Sequence, residues 1–346
     1  MKRKDFIKTV SLSAAATAIP FQLNAKINDV LPIIKPPKIK KGDKIGIIAP
    51  GSFITEAELE DSKKNLTELG FIPIPSKNIL AKKGYLGGED KLRADDVNEM
   101  FADKSIKGIM CARGGYGCAR ILPMLDYNVI KSNPKVLVGY SDITALLYGI
   151  FSKTGLVCFH GPVGISTFNP FSVTYFNDVL VDTHENLTLI SQKEEKEEDG
   201  SLKIIRSGKG QGQLVGGNLS IVVSLIGTEF DIDTTGKIVF IEEVGEEPYR
   251  IDRMLTQMIQ AGKFKNAAGI ALGVFSKCEP KKNGPEFPQS FTLFEVLEDR
   301  LYDLNIPVLY GMSFGHITNK FTLPFGILAE LDSMAQSLTL LETSVI

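Results

Sequence analysis

The chain has no tryptophan, and only four cysteines and three histidines among its 346 residues. Cysteines at 111, 118, 158 and 278 are too few for a disulfide scaffold, and their spacing fits no zinc pattern. They read as buried free thiols, with a bridge between Cys111 and Cys118 open to an exported chain. Charge of one sign is missing too. Lys and Arg number 39 against 41 Asp and Glu, a net charge of -2, which argues against nucleic acid or an anionic membrane surface as partner. After the first 25 residues no apolar run is long enough to span a bilayer. No G-x-G-x-x-G and no P-loop occurs, and no metal or other cofactor is expected. What is present, 43% hydrophobic and 23% charged residues, describes a soluble globular chain long enough for two domains.

The first 25 residues read as an export signal rather than as part of the fold. Lys2, Arg3, Lys4 and Lys8 form a basic head, residues 10–21 are small and apolar, and Leu23-Asn24-Ala25 resembles a cleavage site. The head is similar to a twin-arginine pattern with Lys4 in place of the second arginine. No cysteine follows the apolar run, which argues against a lipid anchor. The expected location is therefore exported, periplasmic, with the cytoplasm as the alternative.

Residues 26–37 form a lead-in. From 38 to 165 strand and helix patterns alternate: apolar strands over 44–49, 71–75, 107–111 and 136–139, helices over 56–69, 90–101, 119–125 and from 142 onward. Such alternation predicts a mostly parallel, Rossmann/flavodoxin-like sheet covered on both faces. Residues 166–204, with the charge run 193–199, read as a linker or variable surface segment. From about 205 to 346 a second, strand-rich α/β domain of swivelling-barrel-like type is expected, ending in a hairpin over 326–331 and 337–342. The class is α/β in both parts.

Ligands of parallel sheets sit at the carboxyl ends of the strands, and Gly51, the loop Gly114–Gly117 and Ser141 fall there. In Val136-Leu-Val-Gly-Tyr-Ser141-Asp142-Ile-Thr, Ser141 lies at a sharp strand-to-helix turn. Such a turn exposes a hydroxyl and frees the following amide, that of Asp142, to stabilise an oxyanion. The plain alternative is a helix cap with Asp142 in the first turn. Arg113-Gly114-Gly115-Tyr-Gly117 offers bare N–H groups beside a guanidinium, which suits a carboxylate or an oxyanion. Of the histidines, His184 falls in the variable segment, and His160 in a Phe-His-Gly-Pro turn reads as orienting backbone. His316, in a glycine loop after a strand, is the better general base. Glu242 and Glu243 end the strand 237–242. Alternation sends them to opposite faces, and the residues alone do not choose between them.

Four segments resemble, in order, the LD-carboxypeptidase family of serine peptidases: Arg-Gly-Gly-Tyr-Gly, Val-Gly-Tyr-Ser-Asp, Ile-Glu-Glu-Val-Gly-Glu-x-Pro-Tyr-Arg-Ile-Asp-Arg-Met-Leu, and Gly-His followed by Leu-Pro-Phe-Gly. The similarity runs from about residue 38 to the C-terminus. It implies a triad split over two domains, with Ser141 as nucleophile, His316 as base and Glu242, the first of the acid pair, as the orienting carboxylate. It implies oxyanion donors at Asp142 and at Gly114 or Gly115. The implied reaction is release of a terminal D-amino acid from an L-residue in murein tetrapeptides, by a homodimer. Arg113 is the candidate for the substrate carboxylate, on charge and position; Arg250 and Arg253, at i and i+3 on a helix start, are expected to pair with Glu246 or Asp252 instead. The export signal departs from the family's cytoplasmic recycling members. Ile143 stands where α/β-hydrolase elbows carry glycine. Within the family, a microcin C immunity-type peptidase, acting on a peptidyl- or aminoacyl-nucleotide, is the runner-up, disfavoured by the lack of tryptophan to stack on a base. Outside it, an exported two-domain ligand-binding protein shares the architecture.

Overall fold

A computed structural model describes residues 31–192, 201–281 and 287–346. The segment expected to be an export signal and the charge run 193–199 lie outside the described residues. The segment Pro32–Ile346 forms one compact unit built on two sheets.

The first half runs β1 (Lys44–Ile48), α1 (Glu56–Glu68), β2 (Ile72–Pro75), α2 (Asp90–Ala102), β3 (Ile106–Cys111), α3 (Cys118–Ile121), α4 (Tyr127–Ser132), β4 (Val136–Gly139), α5 (Ile143–Thr154) and β5 (Phe159–His160). Local chemistry sets the boundaries. Thr55 and Glu58 make a reciprocal capping box at the start of α1. Gly155, left-handed at φ 75°, ends α5. The strands are β-branched and apolar because both faces are covered, as a parallel sheet requires. Their order, β2-β1-β3-β4-β5, is the flavodoxin-like one.

The second half runs α6 (Pro170–Leu180), β6 (Leu187–Ile190), β7 (Lys203–Arg206), β8 (Lys209–Asn218), α7 (Leu219–Leu225), β9 (Ile238–Val244), α8 (Pro248–Gln260), β10 (Gly269–Ser276), α9 (Leu293–Leu301), β11 (Val308–Gly315), β12 (Leu323–Pro324), β13 (Leu328–Asp332) and β14 (Ser337–Leu340). The sheet order is β6-β14-β13-β8-β9-β10-β11-β7. Strands β8 to β11 are parallel and the flanks antiparallel. Past β6, Gln192 donates its N–H to the Ser313 hydroxyl on β11 at 2.9 Å, so the sheet curls back toward itself.

Two features differ from the sequence expectations. Much of 166–204 carries regular structure. Asn169 caps α6 through the Ser172 N–H, and Phe176, Val179 and Leu180 are buried on its inner face; the Asn-Pro start and that apolar spacing are a helix signal overshadowed by the neighbouring charge run. The C-terminal segment does not stay with the second sheet. Leu323 and Pro324 pair antiparallel with His160 and Phe159, adding β12 to the first sheet. Two residues are too few to show a strand period. As expected, all four cysteines are buried free thiols, Cys111 and Cys118 unbridged, and burial raises the pKa of each.

Candidate active site

Ser141 follows β4 with φ 65°, left-handed backbone that a non-glycine residue adopts at a cost. Asp142 takes the helix N-cap position without capping it. Its carboxylate turns aside instead, accepting the Cys118 N–H at 2.9 Å. That bond ties the Ser141 turn to the glycine loop 113–117. The loop lies directly on the serine: a Cβ on Gly114 would stand 2.8 Å from Ser141 Cβ and 3.1 Å from its Oγ. Ser52 pins the loop's other side, donating its N–H to the Gly114 carbonyl at 3.2 Å and accepting the Tyr116 N–H at 3.2 Å. Gly115, at φ 103°, has no room for a Cβ, which would fall 2.2 Å from Ser52 Oγ. The buried Arg93 guanidinium holds the carbonyls of Pro50 and Gly117, bracing both loops from beneath.

Glu242 and His316 come from the carboxyl ends of β9 and β11, either side of β10. His316 Nδ1 lies 2.8 Å from Glu242 Oε2. Gly315 makes the approach possible, since a Cβ there would sit 3.0 Å from Glu242 Cβ and 3.1 Å from Oε2. Glu242 is fully buried, whereas the His316 side chain keeps 20% of its exposure. Burial alone would raise the Glu242 carboxyl; the His316 and His160 imidazoles outweigh it and hold the group well below the ordinary glutamate range.

Glu243 faces the other way. It accepts Asn218 Nδ2 at 2.9 Å, the Ser220 N–H at 2.8 Å, the Ser220 hydroxyl at 2.6 Å and its neighbour Val244's N–H at 2.8 Å. It is a structural carboxylate at the start of α7, and burial raises its pKa in spite of these donors.

Two of the contacts between the halves lie next to Ser141. The Asn218 N–H at the end of β8 donates to Thr144 Oγ1 in the first turn of α5 at 3.0 Å. The Tyr140 ring, beside Ser141, packs edge-on against His316 with centroids 4.9 Å apart. Ser141, the glycine loop, His316 and Glu242 therefore share one neighbourhood at the carboxyl ends of both sheets.

Other expected residues fare differently. Arg113 donates Nη1 to Glu58 Oε1 at 3.1 Å, while its buried Nε has no partner among the described residues. Arg250 lies 3.6 Å from Glu246, and Arg253 packs on the Tyr249 ring. His184 is exposed beside Asp178. His160 does not orient backbone: it is buried, and neither ring nitrogen has a hydrogen-bond partner among the described residues. Sequence reasoning missed Tyr140, Ser52 and Thr144. Tyr140, flanking the serine, carried the nearest thing to a signal. Among the described residues no cluster could hold a metal ion, and no helix is long and apolar enough to cross a membrane.

Comparison with known proteins bears on this geometry. Residues 45–161 match the LD-carboxypeptidase N-terminal domain and residues 211–331 the LD-carboxypeptidase C-terminal domain. A probable murein peptide carboxypeptidase of Bacillus subtilis is 38% identical over 316 residues, 90% of this chain and 95% of the relative. The microcin C7 self-immunity protein MccF of Escherichia coli is 30% identical, covering 87% and 94%. A solved structure of MccF without ligand superposes with a TM-score of 0.83 at 26% identity, over 90% of this chain and all of the other. That of the muramoyltetrapeptide carboxypeptidase from Oxalobacter formigenes gives 0.73 at 27% identity, over 86% and 97%.

Proposed function

This chain belongs to the LD-carboxypeptidase family, and on that premise we propose that it is a serine peptidase releasing the terminal D-alanine from murein tetrapeptides by cutting the L-residue–D-residue bond. The observation that carries this reading is the 2.8 Å pairing of His316 Nδ1 with a buried carboxylate, with His316 packed on Tyr140, the residue before a serine on left-handed backbone. A ligand-binding cleft has no use for that pairing. In this mechanism Glu242 accepts the Nδ1–H of His316, leaving Nε2 to take the Ser141 proton as Oγ attacks the peptide carbonyl. The oxyanion forms against the Asp142 N–H and an N–H of Gly114 or Gly115. His316 then returns the proton to the departing amine of D-alanine, and water hydrolyses the acyl-enzyme by the same route. Arg113 receives the substrate's terminal carboxylate through the part of its guanidinium not paired with Glu58. The export signal puts the reaction at the cell wall, where intact wall peptides are met.

Likeness to MccF supports a second reading, hydrolysis of an aminoacyl-nucleotide. A chain without tryptophan has only Phe, Tyr and His to stack on a base. One experiment separates the two. Defined muropeptides and an aminoacyl-adenylate analogue are digested in parallel and read by mass. Loss of one D-alanine from a tetrapeptide, with the nucleotide conjugate untouched, is the expected result. Cleavage of the conjugate alone overturns the reading.

A further inference from the structure

Each oxygen of the Glu242 carboxylate needs a partner, because the group is fully buried. Oε2 has His316. Oε1 has no hydrogen bond among the described residues. His160 Nε2 lies 3.7 Å from it, just beyond hydrogen-bond reach. His160 is 2% exposed, and its own two nitrogens are equally without partners. Two buried, unsatisfied and chemically complementary groups therefore face each other. One is an acceptor with negative charge and the other a ring that always carries at least one N–H. Closing the gap takes a movement of about 0.8 Å.

The surroundings fix how the ring sits. His160 ends β5 beside β4, in register with Gly139, two residues before Ser141. Its ring lies edge-on among Tyr140 at 6.0 Å, Phe240 at 5.4 Å and Phe314 at 6.3 Å. Phe240 and Phe314 come from β9 and β11, the strands that carry Glu242 and His316. The titratable and charged groups around it are Glu242, His316, the Tyr140 phenol and the Lys320 ammonium over the Tyr140 ring. Glu243 points away, toward Ser220.

We infer that His160 is a positioning residue for the reaction: its Nε2–H donates to Glu242 Oε1, so that the acid is gripped by two imidazoles, one per oxygen. The inference rests on the peptidase reading for its kinetic consequences, but not for the bond itself. With Oε1 held, the carboxylate plane cannot swing, and Oε2 stays on the Nδ1–H of His316.

The test has two arms. In the first, kcat and KM are measured against pH on one tetrapeptide for wild type, His160→Phe, His160→Gln and His160→Asn. Phenylalanine keeps the ring and removes the donor. Glutamine carries an amide N–H to the position of Nε2, and asparagine falls short of it. The expected result is a kcat lower by roughly ten- to hundred-fold in His160→Phe, the worth of one hydrogen bond to a charged group. KM should be nearly unchanged. Glutamine, and not asparagine, should restore kcat. A kcat unmoved in His160→Phe, or equal rescue by asparagine and glutamine, overturns the inference. The second arm needs neither substrate nor variant. The chain has three histidines, so nitrogen-15 NMR of the folded protein can read each tautomer. His160 protonated at Nε2 and bare at Nδ1 is expected; a proton on Nδ1 alone overturns the bond. A protein that cuts no tetrapeptide brings down the peptidase reading, and the tautomer still decides the bond.

Discussion

Glu242 and Glu243 are adjacent, both are buried, and each exchanges an oxygen for an amide when changed to glutamine. Their environments predict opposite outcomes. Glu242→Gln should fold and fail to turn over. Its amide no longer fixes the Nδ1–H tautomer of His316 or steadies the imidazolium, a loss on the order of 10⁴ in kcat where an aspartate does this work in other triads. Glu243→Gln should turn over and fold less well. Glu243 accepts from Asn218 Nδ2, from the N–H and hydroxyl of Ser220 and from the Val244 N–H. Glutamine turns an NH₂ toward part of that set, leaving donor against donor. Each carboxylate oxygen accepts from two donors; at roughly 1–3 kcal/mol for each buried polar group left unmade, and about 2 °C per kcal/mol for a chain of this size, Tm should fall by roughly 4–12 °C. Steady-state rates on one tetrapeptide and thermal melts by circular dichroism read both quantities. The low Glu242 pKa adds a signed pH effect. Its contribution to stability is complete above the ordinary glutamate value of about 4.3 and is lost as pH falls toward about 2. Wild type should therefore lose stability relative to Glu242→Gln across that window and not above it. If Glu243→Gln is the silent enzyme, or if both variants keep full activity, the assignment of the acid is wrong.

Ser141→Ala should leave a folded protein with no tetrapeptide hydrolysis, measured by release of D-alanine. Gly114→Ala places a Cβ 2.8 Å from Ser141 Cβ, so loop or serine must move. Activity should drop by about 10²–10³, the worth of one oxyanion donor, with melting nearly unchanged; an active Gly114→Ala enzyme would remove the glycine loop from the oxyanion site. N-terminal sequencing of protein from the native host should begin near Lys26, and an intact Met1 in the cytoplasmic fraction would contradict export. Sedimentation at micromolar concentration should give a dimer; a monomer with full activity would set the family expectation aside.

The first sheet was legible because its signals are local. Runs such as Val136-Leu-Val and Lys44-Ile-Gly-Ile-Ile alternate with capped helices, and alternation alone implies parallel strands. Ser141 and the glycine loop were visible for the same reason, since the strand ends that position them are short-range features. The choice of acid was not visible in that way. Glu242 and Glu243 look alike in one dimension; what separates them is Gly315 admitting His316 on one side and the start of α7 occupying the other. The role of His160 was misread because its neighbours come from three strands, and Phe240 and Phe314 are distant in sequence. Likewise β12 is two residues long, and only its pairing with Phe159 and His160 makes it a strand.

On the proposed mechanism, a triad divided between two sheets works only if the sheets hold register, and the seam between them accounts for the burial of both acids. Ser141 rides on the start of α5, and α5 is docked by the Asn218 N–H on Thr144 Oγ1. Gly217 makes the approach possible, since a Cβ there would lie 2.5 Å from Thr144 Oγ1. The Asn218 side chain is in turn held by Glu243 at 2.9 Å. Glu243 thus secures the residue that docks the nucleophile's helix, while Glu242, one step along the same strand, holds the base. The docking bond uses the Asn218 backbone and Glu243 uses its side chain. Weakening Glu243 therefore loosens the end of β8 without cutting the link to Thr144, and so stability falls before geometry does. The same strand end serves the reaction on one face and the seam on the other, because a pleated strand presents adjacent residues to opposite sides. On this account the pair of acids is required as a pair, each in its own place, and exchanging their roles by a one-residue slip would lose both the orienting carboxylate and the docked helix.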